Sequence, residues 1–125
     1  MSEGVKFDDG KDPWHLVPWD AVRAIVKVLK FGAGKYGERN WENGMAWSRC
    51  FAAAMRHLTA WHNGEDKDLE TGFSHLWHAG CCVMFLIAFE LRGIGSDDRP
   101  KFTPQQKYKQ RWPGDTGTTE DKPHE

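Results

Sequence analysis

Between Arg56 and Ala79 the chain reads RHLTAWHNGEDKDLETGFSHLWHA, a stretch that brings His57, His75 and His78 together with Glu65, Asp66, Asp68 and Glu70. Imidazole and carboxylate groups are costly to collect in an apolar framework unless they are paired, hydrogen-bonded or bound to something, so this concentration marks a candidate site. His75 and His78 share one face of a helix at an i, i+3 spacing, and Cys82 extends that face by a turn. His57 belongs to the preceding apolar-periodic segment, and an antiparallel fold-back would let the rings converge. Neutral imidazole suits transition metals, and an acidic residue from the joint could complete the shell, a mixture better fitted to Mn²⁺, Zn²⁺ or Fe²⁺ than to Mg²⁺. The candidate metal ligands are His57, Glu65, Asp68, His75 and His78; the candidate catalytic groups are His57, Asp68, His75 and His78. The plainer reading has the histidines bonded to backbone carbonyls or to the acidic joint, with the acids capping the next helix. A calcium loop is excluded, because Thr71 and Trp77 stand where its glycine and its last glutamate would be required.

A second cluster lies upstream in KYGERNWENG, Lys35 to Gly44, and its flanks. Lys35, Arg39, Arg49 and Arg56 offer cationic donors, Asn40 an amide, and Tyr36 and Trp41 aromatic faces. Cations for phosphates beside aromatic faces for a base are the ingredients of a nucleotide site. The Gly34-Lys35 pair is not a phosphate-binding P-loop, since Leu29 replaces its leading glycine and Tyr36 its Ser or Thr. A solvated basic surface over structural tryptophans is the alternative. Against it, the basic loop enters the same helix that the acidic and histidine joint leaves.

The elements that must position these groups are helical. Val22, Ile25, Val26 and Leu29 fall at helical spacing and predict a first helix over 19–33, with Gly32 and Gly34 as its stop. Ser48 as a cap, then Phe51, Ala54, Met55, Leu58 and Trp61, predict a second helix over 48–63. The third is expected over 72–92, and its half GCCVMFLIAFEL is apolar on nearly every side, so it should be covered all round. Pro13 and Pro18 bracket an expected extended tether, Trp14 to Val17. With no period-two alternation, the fold class is all-α: a small bundle of three principal helices with ordered loops.

The chain divides into a polar segment over 1–13, a helical nucleotide-handling domain over 14–93 and an extended C-terminal tail over 94–125. A body of about eighty residues is near the size at which one core becomes marginal, so a homo-oligomer is expected. With 125 residues, 39% hydrophobic and 28% charged, the composition is that of a globular protein, and its formal charge of −1 disfavours nucleic acid as a partner. The odd cysteine count, with Cys81 and Cys82 adjacent, points to reduced thiols. No apolar run is long enough to span a bilayer, and a soluble, cytoplasmic protein is expected.

KYGERNWENG, Ser48-Arg49, RHLTAW, GED, ETG and HLWHA, in that order, resemble the phage-associated domain named for dATP/dGTP diphosphohydrolase, N-terminal region. The likeness covers roughly Lys11 to Arg92. It implies a relation to the all-α MazG-type nucleoside triphosphate pyrophosphohydrolases, which release pyrophosphate from a dNTP with the help of divalent metal. Their signature is two helical carboxylate pairs, E-x-x-E and E-x-x-D. This chain departs from it: Ala54 and His57 stand in place of the first pair, and His75 and His78 in place of the second. The resemblance thus implies a purine (d)NTP pyrophosphohydrolase using a divalent metal, Mn²⁺, Mg²⁺ or Zn²⁺, but it carries over no catalytic carboxylate. The alternative is a non-catalytic protein that sequesters a nucleotide signal, derived from ADP-ribose or a cyclic dinucleotide. A module with no small ligand is the third reading.

Overall fold

The computed structural model describes residues 3–102, and among them the only long elements are three α-helices: α1, Trp19–Tyr36; α2, Trp47–His62; and α3, His75–Arg92. The all-α expectation holds, with shifted boundaries. α1 runs through Gly32 and Gly34 and stops at Gly37, whose φ of 95° is open to glycine and whose N–H reaches the Ala33 carbonyl. Trp14–Leu16 forms a 3₁₀ turn instead of an extended tether, and Trp14 stacks on Trp19 with ring centroids 6.5 Å apart. Asn40–Asn43 forms another 3₁₀ turn, entered by Arg39 in the left-handed region at φ 60°.

Ser48 is not the cap of α2. The helix begins one residue earlier, after Ala46, and the N–H of Ser48 donates to Asp98 Oδ1 at 2.9 Å, so a carboxylate fifty positions away supplies the missing acceptor. The Ser48 hydroxyl bonds the other oxygen of the same carboxylate. Residues 94–98, the start of the expected tail, therefore fold back on the entrance to α2. Ser96 bridges Ala46, and the Trp47 indole N–H donates to the Ile94 carbonyl at 3.0 Å. Two glycines permit this seam: a Cβ on Gly95 would stand 2.5 Å from the Met45 carbonyl oxygen, and one on Gly44 would stand 2.6 Å from the Gly95 nitrogen. The remainder of the tail, from residue 103, lies outside the described residues.

The joint between α2 and α3 is a tight hairpin. Lys67 bridges Ser74, the Asp68 N–H donates to Phe73 O, and α3 starts only at His75, with Ser74 Oγ accepting from the Leu76 N–H at 3.1 Å. α2 returns antiparallel along α3, and α1 crosses α3 where Gly80 makes room for Ile25. The core is small: Val28 from α1, Cys50 and Ala54 from α2, and Ala79, Cys81 and Phe89 from α3 are buried. Val26, expected inward, is exposed, and Val28 points in instead.

Candidate functional site

Between α2, α3 and the C-terminal end of α1 lies a cleft of about 950 Å³. Lys35, Tyr36, Arg39, Asn40, Trp41 and Arg49 line it together with His57, Asp68, Thr71 and His78, whereas the buried His75 does not. The two clusters of the sequence thus share a single cavity. Arg56 does not line it, because it lies on the exposed side of α2.

The histidines converge as the antiparallel fold-back requires. His57 Nδ1 lies 2.9 Å from His75 Nδ1, and the His57 ring stacks on that of His78 with centroids 4.6 Å apart. His75 is buried, and its Nε2 lies 2.6 Å from Glu65 Oε2. Because an ionised carboxylate only accepts, His75 carries a proton on Nε2; a neutral ring then presents Nδ1 as a lone pair, which accepts from His57 Nδ1–H. His78 Nε2 sits 2.7 Å from the Thr71 hydroxyl, which is 3.3 Å from Asp68 Oδ1. The Glu70 and Thr71 amides donate to the same Asp68 oxygen at 2.9 and 3.0 Å, and no donor among the described residues reaches Oδ2.

Electrostatics follow from this packing. Burial, reinforced by the neighbouring imidazoles His78 and His75, holds His57 below the ordinary histidine range. Burial also lowers His78, outweighing the opposing pull of Asp68. Burial alone would raise Asp68, but the Thr71 and Glu70 bonds and the nearby His78 bring it below the usual carboxylate range. Burial pushes the thiols of Cys81 and Cys82 up to about 12 and about 11, so both are protonated at neutral pH and are poor ligands.

The donor set fits a divalent cation. One ligand atom each from His57, Asp68 and His75 falls within 4.8 Å of the others. Two imidazoles and a carboxylate are a transition-metal set. His78 and Glu65 stand outside this group, bonded to Thr71 and to His75.

Other residues are differently placed from what their types suggested. Trp41 packs against Phe85 with centroids 4.9 Å apart and carries the Arg92 guanidinium at 5.1 Å, so it wedges the loop onto α3. Tyr36 is the exposed aromatic face of the cleft. Arg39 and Arg92 both pair with Glu42 Oε1, at 3.3 and 3.2 Å, and Lys35 pairs with Glu70 at 2.7 Å. The sequence reading missed Thr71 and Glu42. Thr71 was foreshadowed by its place three residues after Asp68, where a hydroxyl can close an Asx turn; Glu42 carried no signal.

An all-α bundle in which two imidazoles, a carboxylate and a cationic loop line one cleft is the frame of this domain. The chain belongs to the family described as dATP/dGTP diphosphohydrolase, N-terminal, which matches residues 1–99. It is 36% identical over 96 residues to a protein of Salmonella phage PMBT28 named dATP/dGTP diphosphohydrolase, a match covering 77% of this chain and 33% of that protein. The chain therefore spans about a third of that relative's length. No solved structure matches it.

Proposed function

We propose that the chain handles purine deoxynucleotides in this cleft and hydrolyses a (d)NTP, dATP or dGTP, to the monophosphate and pyrophosphate. The observation that carries this reading is the single cavity lined by His57 and Asp68, which group with the buried His75 behind them, and by the cations Lys35, Arg39 and Arg49. The family membership and the phage relative's name support the substrate class.

His57, Asp68 and His75 would hold a divalent cation, Mn²⁺ or Zn²⁺ in preference to Mg²⁺, which supplies Lewis acidity and an activated water when bound. Lys35, Arg39 and Arg49 neutralise the phosphate oxygens, and charge-assisted bonds make them the main source of anion affinity. Tyr36 offers its ring to the base. Water adds at the α-phosphorus, the bond to the bridging oxygen breaks, and pyrophosphate leaves. His78, held neutral and oriented by Thr71, is assigned the proton that the water loses.

A second reading, sequestration without hydrolysis, is favoured by buried Ala54, which leaves α2 without the carboxylate pair of the pyrophosphohydrolase signature. One experiment separates the two. The purified protein is incubated with dATP, dGTP, ADP-ribose derivatives and cyclic dinucleotides in Mn²⁺ or Mg²⁺, then heated, and the released material is chromatographed. Monophosphate and pyrophosphate are expected; an intact nucleotide recovered from the protein means sequestration, and no retention of any nucleotide overturns both.

A further inference from the structure

Glu65 is exposed at the hairpin and lines no part of the cleft, yet its carboxylate oxygen lies 2.6 Å from Nε2 of the buried His75. The opposite ring nitrogen, Nδ1, faces His57 Nδ1 at 2.9 Å, inside the group that also contains Asp68. The order Glu65, His75, cation is the arrangement in which an outer carboxylate fixes the tautomer of a metal-bound imidazole and raises its basicity. Backbone geometry holds the pair in place: the His75 N–H donates to Asp66 O at 2.9 Å, and the Glu65 N–H donates to Ala60 O at 3.0 Å, tying Glu65 to the last turn of α2. Asp66, next to Glu65, receives His75 through its backbone carbonyl, so the two acids differ in role despite their adjacency.

We infer that Glu65 is a positioning residue, which accepts the hydrogen bond from Nε2–H of His75 and thereby commits the Nδ1 lone pair, beside His57 and Asp68, to a divalent transition-metal ion. The inference rests on the reading that the cleft holds such an ion, and it changes the part played by Glu65 from ligand to orienter. His57 then enters the set only by surrendering the Nδ1 proton that it donates to His75 in the metal-free protein. Its own Nε2 can carry a proton instead, so the exchange leaves the net charge of the ring unchanged.

The test uses the full chain stripped with chelator and titrated with Co²⁺, read by calorimetry and by the visible absorption of the bound ion, with no nucleotide present. Long-range ¹H–¹⁵N spectra of the histidine rings report the tautomer. In the wild type, His75 should show the Nε2–H form. Glu65→Ala should weaken Co²⁺ binding about 10- to 100-fold, the range for lost outer-shell partners, and mix the tautomers. Glu65→Gln, whose amide oxygen can still accept from Nε2, should lose less, and Asp66→Ala should bind within about twofold of wild type, since it leaves that partner intact. If Glu65→Ala fails to fold, Glu65→Gln and the wild-type tautomer decide. An unchanged affinity in Glu65→Ala, or an Nδ1–H form of His75 in the metal-free wild type, overturns the inference. Wild type that binds no Co²⁺ overturns it together with the metal-dependent reading. Glu65-dependent Co²⁺ binding in a protein that leaves every nucleotide intact upholds the inference and removes only the hydrolysis.

Discussion

The three imidazoles differ in their surroundings: His57 meets the other two rings, the buried His75 also meets Glu65, and His78 also meets Thr71. His57 and His78 are both lowered by burial, so in the metal-free protein the folded state binds fewer protons than the unfolded chain as pH falls below the ordinary histidine value of 6.5. Stability therefore rises with pH in that range; it is fully present above 6.5 and is lost as pH falls through the lowered values. Urea midpoints measured in chelator from pH 7.5 to about 5 should decline, and replacing His57 and His78 together with Gln should flatten the curve. A midpoint that stays level in the wild type contradicts the buried, neutral assignment. Among the aromatics, Tyr36→Ala should weaken nucleotide binding while leaving the thermal melt nearly unchanged, because the ring is exposed. Trp41→Ala should instead cost about 2–4 kcal/mol, through lost packing on Phe85 and Phe89. Equal effects of the two substitutions on melting would show that Trp41 is no wedge.

At the scale of the elements, the loop before α2 and the turn after α3 are one structural device. Gly44 and Gly95 adopt φ of 77° and 76° and touch backbone to backbone, which lets Trp47 reach the Ile94 carbonyl and Asp98 cap α2. Gly95→Ala meets both a left-handed backbone and a carbonyl oxygen at 2.5 Å, and should destabilise the domain by more than about 2 kcal/mol in chemical denaturation. Gly34→Ala, within α1 and with open space around its Cβ, should be neutral or stabilising by up to about 1 kcal/mol. If Gly95→Ala melts like the wild type, the seam has been given too much weight.

The whole molecule leaves unusually large side chains outside. α2 and α3 meet through small residues, Cys50, Ala54, Ala79 and Cys81, while Phe51, Met55, Val83, Ile87 and Leu91 are exposed. Among the described residues, α3, apolar on nearly all sides, is thus covered on only part of its circumference. We propose self-association through this face. Light scattering should report a mass above 14.3 kDa at micromolar concentration, and Ile87→Glu, a change at a half-exposed site, should return the protein to that mass without unfolding it. A wild type that is monomeric at such concentrations removes the proposal. Among the described residues no helix is long and apolar enough to cross a membrane.

Helical periodicity in residues 19–33, 48–63 and 72–92 specified three helices, and the grouping of His57, His75 and His78 with the acidic joint specified where to look. Both are local properties, carried by spacing along one chain. The sequence did not place the ends. α1 continues past Gly32 and Gly34 because a single glycine costs a helix only about 1 kcal/mol, and α3 starts late because Lys67 bridges Ser74 within the hairpin. Nor did it divide the roles within the site. Glu65 and Asp66 are indistinguishable as letters, but only Glu65 reaches the Nε2 of His75; Trp41 and Tyr36 are both aromatic, but only Trp41 is packed on α3. That the cationic loop and the histidine joint line one cleft was decided by α1 lying across α3, a long-range packing that spacing along the chain does not encode.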